Sequence, residues 1–275
     1  MSRGRPDARA ADRLLRAAGL TVTLGGVAVL GALLAAVAAD AFGGSARPWP
    51  PGFARALAGS VSMVGLAGCL AVPIGVGAAV YLEEYAPRDR LTRLIELNIA
   101  SLAGVPAVVY GLLGLAVFVR ALGLGRSLAA GAATLALLVL PAVILSTRAA
   151  LRAVPRSLRD ASCALGATRW QTIRHQVLPA ALPGTLAGLV LALARALGEA
   201  APLIVLGALG SLPAPAPGPD GAIPALPARI FDWLSRPEAE FLRNAAAAIM
   251  VLLVLVLLLS GLAAWMRDRW RVAHR

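Results

Sequence analysis

Six long apolar runs, separated by shorter polar segments, dominate the pattern of hydrophobic and polar positions. They cover approximately residues 17–39, 56–82, 97–119, 128–150, 183–209 and 244–266. Each is close to the ~20 residues that an α-helix needs to cross a hydrocarbon core of about 30 Å. The first run is longer than the apolar region of a signal peptide, about 7–15 residues, so we expect an uncleaved first span. The pattern predicts an all-α membrane protein with six transmembrane helices.

Proline and small residues lie within the predicted spans. Pro73, Pro106 and Pro141 interrupt three of the runs. Bundled membrane helices tolerate such prolines because neighbouring groups satisfy the freed carbonyl oxygens. Frequent glycine and alanine favour close helix packing, although no GxxxG pair stands out as a contact face.

The distribution of charge predicts an orientation in the membrane. All 26 basic residues of this 275-residue chain are arginine, and its net charge is +12. The chain is 59% hydrophobic with a mean hydropathy of +0.78, so this charge does not indicate nucleic-acid binding. Alternate loops hold 18 arginines on one side and 7 on the other. Because arginine is enriched in cytoplasmic loops, both termini and the segment 156–179 are predicted to be cytoplasmic.

Signatures of enzymes and metal sites are missing from the sequence. A P-loop needs a lysine on the phosphates, and the chain contains none, so it cannot itself be a P-loop ATPase. It has no HExxH or GxSxG motif, and neither cysteine indicates a disulfide or metal ligand. Glu83 and Glu84 stand among other charged residues, as expected of a solvated loop. We therefore expect no catalytic residue, metal or cofactor.

The longest polar interruption with a folding pattern of its own is the segment 156–179. Ser157–Asp160 fits a helix-capping box, and Gly166 stands where a left-handed residue would end that helix. Thr168–Gln171 is a second capping box, and Pro179 is expected to end the second helix. The pattern predicts two short helices joined at a glycine, which is typical of a surface that binds a partner protein.

One predicted span carries charge deep inside it. If the fifth span begins near Pro183, Arg195 lies about 18 Å along it, with Glu199 one turn further on the same face. Charged residues inside a membrane are costly and usually face a partner or a cavity. Two interpretations remain open: an ion pair that joins helices, or an arginine that meets an anion in transit, since a guanidinium suits an oxyanion such as phosphate.

The segment 156–179 resembles the cytoplasmic EAA loop of ABC-importer permeases. That pattern places EAA, three residues, glycine and a terminal Leu-Pro, which stand here as Asp160–Ser162, Gly166 and Leu178–Pro179. Asp replaces Glu, Ser replaces the second Ala, and Gln176 takes the place of an isoleucine.

Further stretches are similar to one group of these permeases, the PstA-type subunits of phosphate-specific importers. The similar stretches are Leu102–Val119, Ser146–Pro155, Leu178–Gly184, Ala194–Leu203 and Ala225–Phe241. The resemblance implies a type I importer permease with MetI-like architecture over residues 55–270. Residues 1–54 would then form an N-terminal tail, the first helix and an external loop.

The resemblance also implies partners and sites. A PstC-like second permease, two copies of a PstB-like cytoplasmic ATPase and an extracytoplasmic PstS-like phosphate-binding protein would join this chain in the bacterial inner membrane. Arg195 and Glu199 would line the substrate pathway. The residues implied in ATPase coupling are Ser157, Asp160, Ala161, Ser162, Gly166, Thr168, Leu178 and Pro179.

Two rival functions remain. A permease for another oxyanion, such as sulfate or molybdate, would share the fold and the ATPase-binding segment 156–179. An intramembrane enzyme or signalling protein would use Arg195 and Glu199 for itself, which the missing catalytic motifs disfavour.

Overall fold

The computed structural model describes residues 6–42, 52–208 and 225–272, and every regular element in these ranges is helical. The two ends of the chain, whose cytoplasmic position is predicted above, lie partly outside the described residues. In chain order the helices are α1 (Pro6–Phe42), α2 (Phe53–Val80), α3 (Arg90–Ala103), α4 (Ala107–Gly114), α5 (Leu128–Ala153), α6 (Arg156–Ala164), α7 (Arg169–Thr172), α8 (Leu178–Gly198), α9 (Ala201–Ala208), α10 (Leu226–Leu234) and α11 (Ala239–Val272). Three π-helical segments extend α2, α4 and α7, namely Tyr81–Tyr85, Leu115–Ala121 and Ile173–Val177.

The structure supports five of the six predicted spans as single long helices and the sixth as a bent pair of helices. Five segments of the described chain are long and apolar enough to cross a membrane: Ala18–Ala39, Phe53–Tyr85, Leu128–Ala153, Arg169–Gly198 and Ala239–Arg269. The sixth candidate is a bent pair, Arg90–Ala103 and Ala107–Ala121, whose two halves differ in direction by 100°.

The two predicted runs 97–119 and 183–209 are wrong as continuous helices. The first turns sharply at Gly104–Pro106, where Pro106 takes an extended backbone and α4 begins after it. The second ends at Gly198, and α9 follows. Pro202 has no N–H for the carbonyl of Gly198, which removes the hydrogen bond that would continue the helix. Prolines inside α2 and α5 do not break those helices.

Helix α3 begins at a side-chain cap. The backbone N–H of Thr92 donates to Asp89 Oδ1 at 2.8 Å, and this hydrogen bond lowers the pKa of the Asp89 carboxyl. None of the α3 residues is fully buried, and Thr92, Glu96 and Ile99 are its half-buried positions on the side that meets α5. Helix α3 therefore lies on the surface of the bundle.

Small residues bring α5 and α8 together. A β-carbon on Gly188 would lie 2.4 Å from Cβ of Ser146, and one on Gly184 would lie 3.0 Å from Cβ of Ala150. Gly184 and Gly188 form a GxxxG pair facing two small residues that are also four apart, so the expectation that no such pair forms a contact face is wrong. These four positions let the two backbones approach closely.

One face of α10, the helix before α11, is packed against the bundle. Ile230 and Trp233 are buried against the first turn of α2 and the start of α11, whereas Phe231 and Leu234 are exposed. The backbone N–H of Leu226 donates to Ser60 Oγ at 2.7 Å inside this contact. Helix α10 is therefore fixed to the end of α2 that lies far from the segment 156–179.

We expect Gly188→Ala to destabilise the fold by about 1–3 kcal/mol, because the added methyl group overlaps Ser146. The measurement is the unfolding midpoint in detergent. Gly77→Ala is the matched control, since nothing lies within 4 Å of a β-carbon there and alanine favours the helix. An equal effect of both substitutions would contradict the close contact between α5 and α8.

Candidate functional site

The first helix of the segment 156–179 does not use the predicted cap. Helix α6 begins at Arg156 with Pro155 before it, and no side chain caps its N-terminus. The predicted capping box Ser157–Asp160 is therefore wrong, because Ser157 lies one residue inside the helix. Pro155 fixes an extended backbone immediately before α6 and its carbonyl accepts from the Leu158 N–H at 3.3 Å, so the helix starts earlier than expected.

The glycine turn and the second cap are confirmed. Gly166 has φ of +85°, a left-handed conformation that L side chains rarely adopt. The backbone N–H of Thr168 donates to Gln171 Oε1 at 2.8 Å, and the N–H of Gln171 donates to Thr168 Oγ1 at 3.3 Å. Ser162 Oγ and Thr172 Oγ1 lie 2.9 Å apart across the turn, which ties the two short helices together.

The predicted end of the second helix at Pro179 is wrong. Helix α7 passes through the π-helical segment Ile173–Val177 directly into α8, and Pro179 lies in the first turn of α8. A π-helical turn shifts the hydrogen-bond register, which accommodates a proline that lacks an N–H. The segment 156–179 is thus continuous with a membrane span.

One face of this segment is packed and the other is open. Ile173 and Val177 are buried in an apolar cluster with Leu82 and Leu151. On the opposite side Leu165 is 91% exposed and Trp170 is 53% exposed. Asp160 and Ala161 are exposed as well.

Glu84 is buried at the base of the segment, so the expectation of a solvated loop at Glu83 and Glu84 is wrong. Arg159 Nη2 of α6 donates to Glu84 Oε1 at 2.7 Å, and Glu84 is 8% exposed. Arg169 of α7 donates to the backbone carbonyl of the same residue and stacks 5.1 Å from the ring centroid of Tyr85. Both short helices therefore contact the end of the span that begins with α2.

A second ionic contact lies beside it. Arg148 of α5 is 5% exposed and pairs with Glu96 of α3 and with Glu83, whose Oε2 lies 3.4 Å from Arg148 Nε. Arg152 Nε donates to the same Glu83 oxygen at 2.8 Å. A polar cavity of about 730 Å³ opens between these side chains and α6. Sequence analysis missed this group, although two arginines four residues apart at the end of an apolar helix signal one charged face.

Arg195 and Glu199 meet at the end of α8. Arg195 lies in the last turn, and Glu199 is the first residue beyond it, with an extended backbone. Arg195 Nε is 3.6 Å from Glu199 Oε1, and the two side chains are 65% and 21% exposed. The predicted pairing is present, but both partners belong to one helix end, so this ion pair does not join two helices.

The breaks in the two interrupted spans lie together beside Arg195. A small cavity there is lined by Arg195, Ala107 at the start of α4, and Tyr110. Tyr110 donates its hydroxyl to the carbonyl of Leu102 at 2.7 Å, which bridges the bend between α3 and α4. A β-carbon on Gly111 of α4 would lie 2.8 Å from Cα of Pro202 in α9, so the two short helices after the breaks are in contact.

Comparison with known proteins identifies relatives over most of the chain. Residues 71–272 match the family model described as "Binding-protein-dependent transport system inner membrane component". The phosphate transport system permease protein PstA 1 of Mycobacterium tuberculosis is 40% identical over 205 residues, which are 74% of this chain and 66% of that protein. PstA of Yersinia pestis is 36% identical over 77% of this chain and 71% of its own length.

Solved structures share the fold at low identity. A bacterial ABC transporter involved in the import of the polysaccharide alginate matches with a TM-score of 0.70 and 17% identity, covering 96% of this chain and 98% of that one. The MetNI methionine ABC transporter matches with a TM-score of 0.62 and 22% identity, covering 81% of this chain and 96% of that one. Both are ABC transporters. The chain has the type I importer fold and belongs to the family of binding-protein-dependent transport system inner membrane components, the permease subunits of ABC importers.

Proposed function

We propose that this chain is the permease subunit of an importer for inorganic phosphate. The observation that carries the proposal is the similarity to phosphate permeases at 40% identity over 74% of the chain. A second, related permease would complete the translocation pathway. Two copies of a cytoplasmic ATPase would supply energy, and an extracytoplasmic phosphate-binding protein would deliver the substrate.

Arg195 is our candidate for the residue that meets phosphate in the pathway. It is 65% exposed on the isolated chain, between the apolar residues of α8 and the apolar helix α9. An exposed guanidinium on a membrane span does not face lipid, because the cost of placing its charge in hydrocarbon is high. A water-filled pathway shared with the second permease would satisfy it. Arg195 and Glu199 belong to the same helix end, which argues against an ion pair whose only purpose is to hold two helices together. Glu199 would offset the charge of Arg195 when no anion is bound.

The helix breaks add to the attraction of an anion. Helix α4 starts at Ala107, beside Arg195, and the start of α9 follows the break at Glu199. Helix N-termini carry unpaired N–H groups and a partial positive charge. Broken helices in other transporters present such ends to anionic substrates. The guanidinium and these helix ends would together favour an oxyanion over a cation.

The segment 156–179 is proposed to dock on the ATPase, and we call it the coupling loop. Its open face, with Leu165 and Trp170, offers apolar surface to that partner, while its packed face rests on the spans. The residues that we assign to coupling are Ser157, Asp160, Ala161, Ser162, Gly166, Thr168, Leu178 and Pro179. This docking requires the coupling loop and both termini to lie in the cytoplasm, which is the orientation that the arginine bias favours. The resemblance supports residues 55–270 as the permease body.

The complete importer, reconstituted in proteoliposomes, is expected to accumulate radiolabelled phosphate in the presence of ATP, the binding protein and excess sulfate or molybdate. Arg195→Gln should reduce uptake by about tenfold or more, because a hydrogen bond to a charged group contributes about 1.5–3 kcal/mol. Arg195→Lys should keep part of the activity, since a point charge lacks the bidentate fork.

The double variant Arg195→Gln with Glu199→Gln separates the two interpretations of the pair. If the pair is only structural, removal of both charges restores uptake; if Arg195 meets the anion, uptake stays low at normal membrane abundance. Arg120→Gln is the control for loss of an exposed arginine elsewhere in the chain. Uptake of sulfate or molybdate in place of phosphate would contradict the proposed substrate.

Labelling with a membrane-impermeant thiol reagent tests the orientation. In a background with Cys69→Ala and Cys163→Ala, single cysteines are introduced by Ser235→Cys on the α10 side and Arg90→Cys at the start of α3. Both positions are exposed. Reagent added to intact cells should reach only position 235, and both positions should label after the membrane is opened. Labelling of position 90 in intact cells would reverse the orientation.

Gly166→Val is expected to uncouple the importer without preventing insertion. Valine in the left-handed conformation of this turn is strained by about 1–2 kcal/mol or more, which would tilt α6 relative to α7. The measurement is substrate-stimulated ATP hydrolysis in the reconstituted complex. Gly123→Val carries similar strain at φ of +65° in the loop before α5 and is the matched control. Equal, normal stimulation in both variants would show that Gly166 only links the helices.

A further inference from the structure

A single residue at the end of one span contacts both helices of the coupling loop. The carboxylate of Glu84 accepts from Arg159 of α6 at 2.7 Å, and its backbone carbonyl accepts from Arg169 of α7. The two contacts lie on opposite sides of the turn at Gly166 in the sequence. Glu84 itself belongs to the π-helical segment Tyr81–Tyr85 that continues α2. Helix α2 therefore holds the coupling loop at two places through one residue.

Arg159 extends this contact to a third element. Its Nη1 donates to the carbonyl of Val154 at 2.8 Å, and its Nη2 donates to the carbonyl of Leu151 at 3.0 Å. The Leu151 carbonyl lies in the last turn of α5 and also accepts from the Val154 N–H at 3.2 Å, and Val154 is the residue immediately after that helix. One guanidinium thus joins the end of α5, the end of α2 and the coupling helix α6.

We propose that Glu84 and Arg159 are positioning residues that transmit movement of the coupling loop to α2 and α5. The inference rests on the proposed function, because it takes the coupling loop as the ATPase contact. Chain continuity alone passes the movement into α8, since α7 runs directly into that helix, and into α5, whose end is joined to α6 by Val154 and Pro155. The Glu84–Arg159 contact adds a route into α2, which the chain does not join directly to the coupling loop, and the Arg159 hydrogen bonds strengthen the link to α5.

The ion pair between Glu84 and Arg159 is largely buried, which strengthens the attraction between the two charges. Glu84 is 8% exposed and the Arg159 side chain is 22% exposed, so water screens their charges only partly. Removal of one member of such a pair leaves the other charge buried without compensation. The neighbouring pair Arg152–Glu83 differs in this respect, because the Arg152 side chain is 58% exposed. Exposed ion pairs contribute little.

The test is the number of phosphate ions imported per ATP hydrolysed by the complete reconstituted importer. Glu84→Gln keeps the side-chain shape and the carbonyl contact with Arg169 but removes the ion pair. We expect the variant complex to hydrolyse ATP while the transport ratio falls about fivefold or more, within the usual range of coupling between sites. Arg159→Lys keeps the positive charge but loses the bidentate guanidinium, so the transport ratio should fall less than in Glu84→Gln. Arg152→Gln is the matched control and should keep the wild-type ratio.

A double variant separates positioning from stability. Glu84→Gln combined with Arg159→Gln leaves neither charge unpaired, so the complex should assemble even if a single variant does not. A low transport ratio in the assembled double variant supports the proposal. A wild-type ratio in the double variant, or a loss of abundance with an unchanged ratio per complex, overturns it. If the wild-type complex imports sulfate or molybdate and not phosphate, the proposed substrate is wrong but the proposed role of Glu84 and Arg159 is not affected. The transport ratio would then be measured with the imported anion.

Discussion

Charge that lies against an apolar helix bundle must be paired, and this requirement organises the end of the protein that carries the coupling loop. Arg148 is almost fully buried and is compensated by Glu83 and Glu96, which belong to different helical segments. Glu84 is compensated by Arg159 in the same region. Because each of these pairs joins different elements, the charges that the sequence places at the helix ends also fix how those ends are arranged.

Within the apolar part of the bundle, small residues and helix breaks, rather than ion pairs, determine how the helices are arranged. The Gly184–Gly188 pair lets α5 and α8 approach closely, and Gly111 lets α4 meet α9. Both breaks free backbone groups, and the break between α3 and α4 shares a small cavity with Arg195. A rigid, closely packed pair of helices therefore supports a region in which regular hydrogen bonding is interrupted, which is where a polar substrate can be accommodated.

The helical class, the continuous spans, the glycine turn and the cap at Thr168 were predictable from the sequence, because each depends on neighbours in the chain. The 100° bend at Gly104–Pro106 was not, since a proline inside an apolar run is compatible with a kink, a break or a straight helix. The burial of Glu84 depends on Arg159, 75 residues away in the sequence. Such pairings follow from how the helices pack, and no local pattern determines that packing.

The helix that begins at Phe53 and reaches Tyr85 is a single rod whose two ends are both attached to other parts of the protein. At one end Glu84 holds the coupling loop, and near the other end Ser60 accepts from the backbone of α10. Its 33 residues correspond to a length of about 50 Å, so a tilt of about 10° around its middle displaces each end by about 4 Å. Because such a tilt moves both ends by the same amount, a displacement at the coupling loop would reach the α10 end undiminished, without any change in the helix itself.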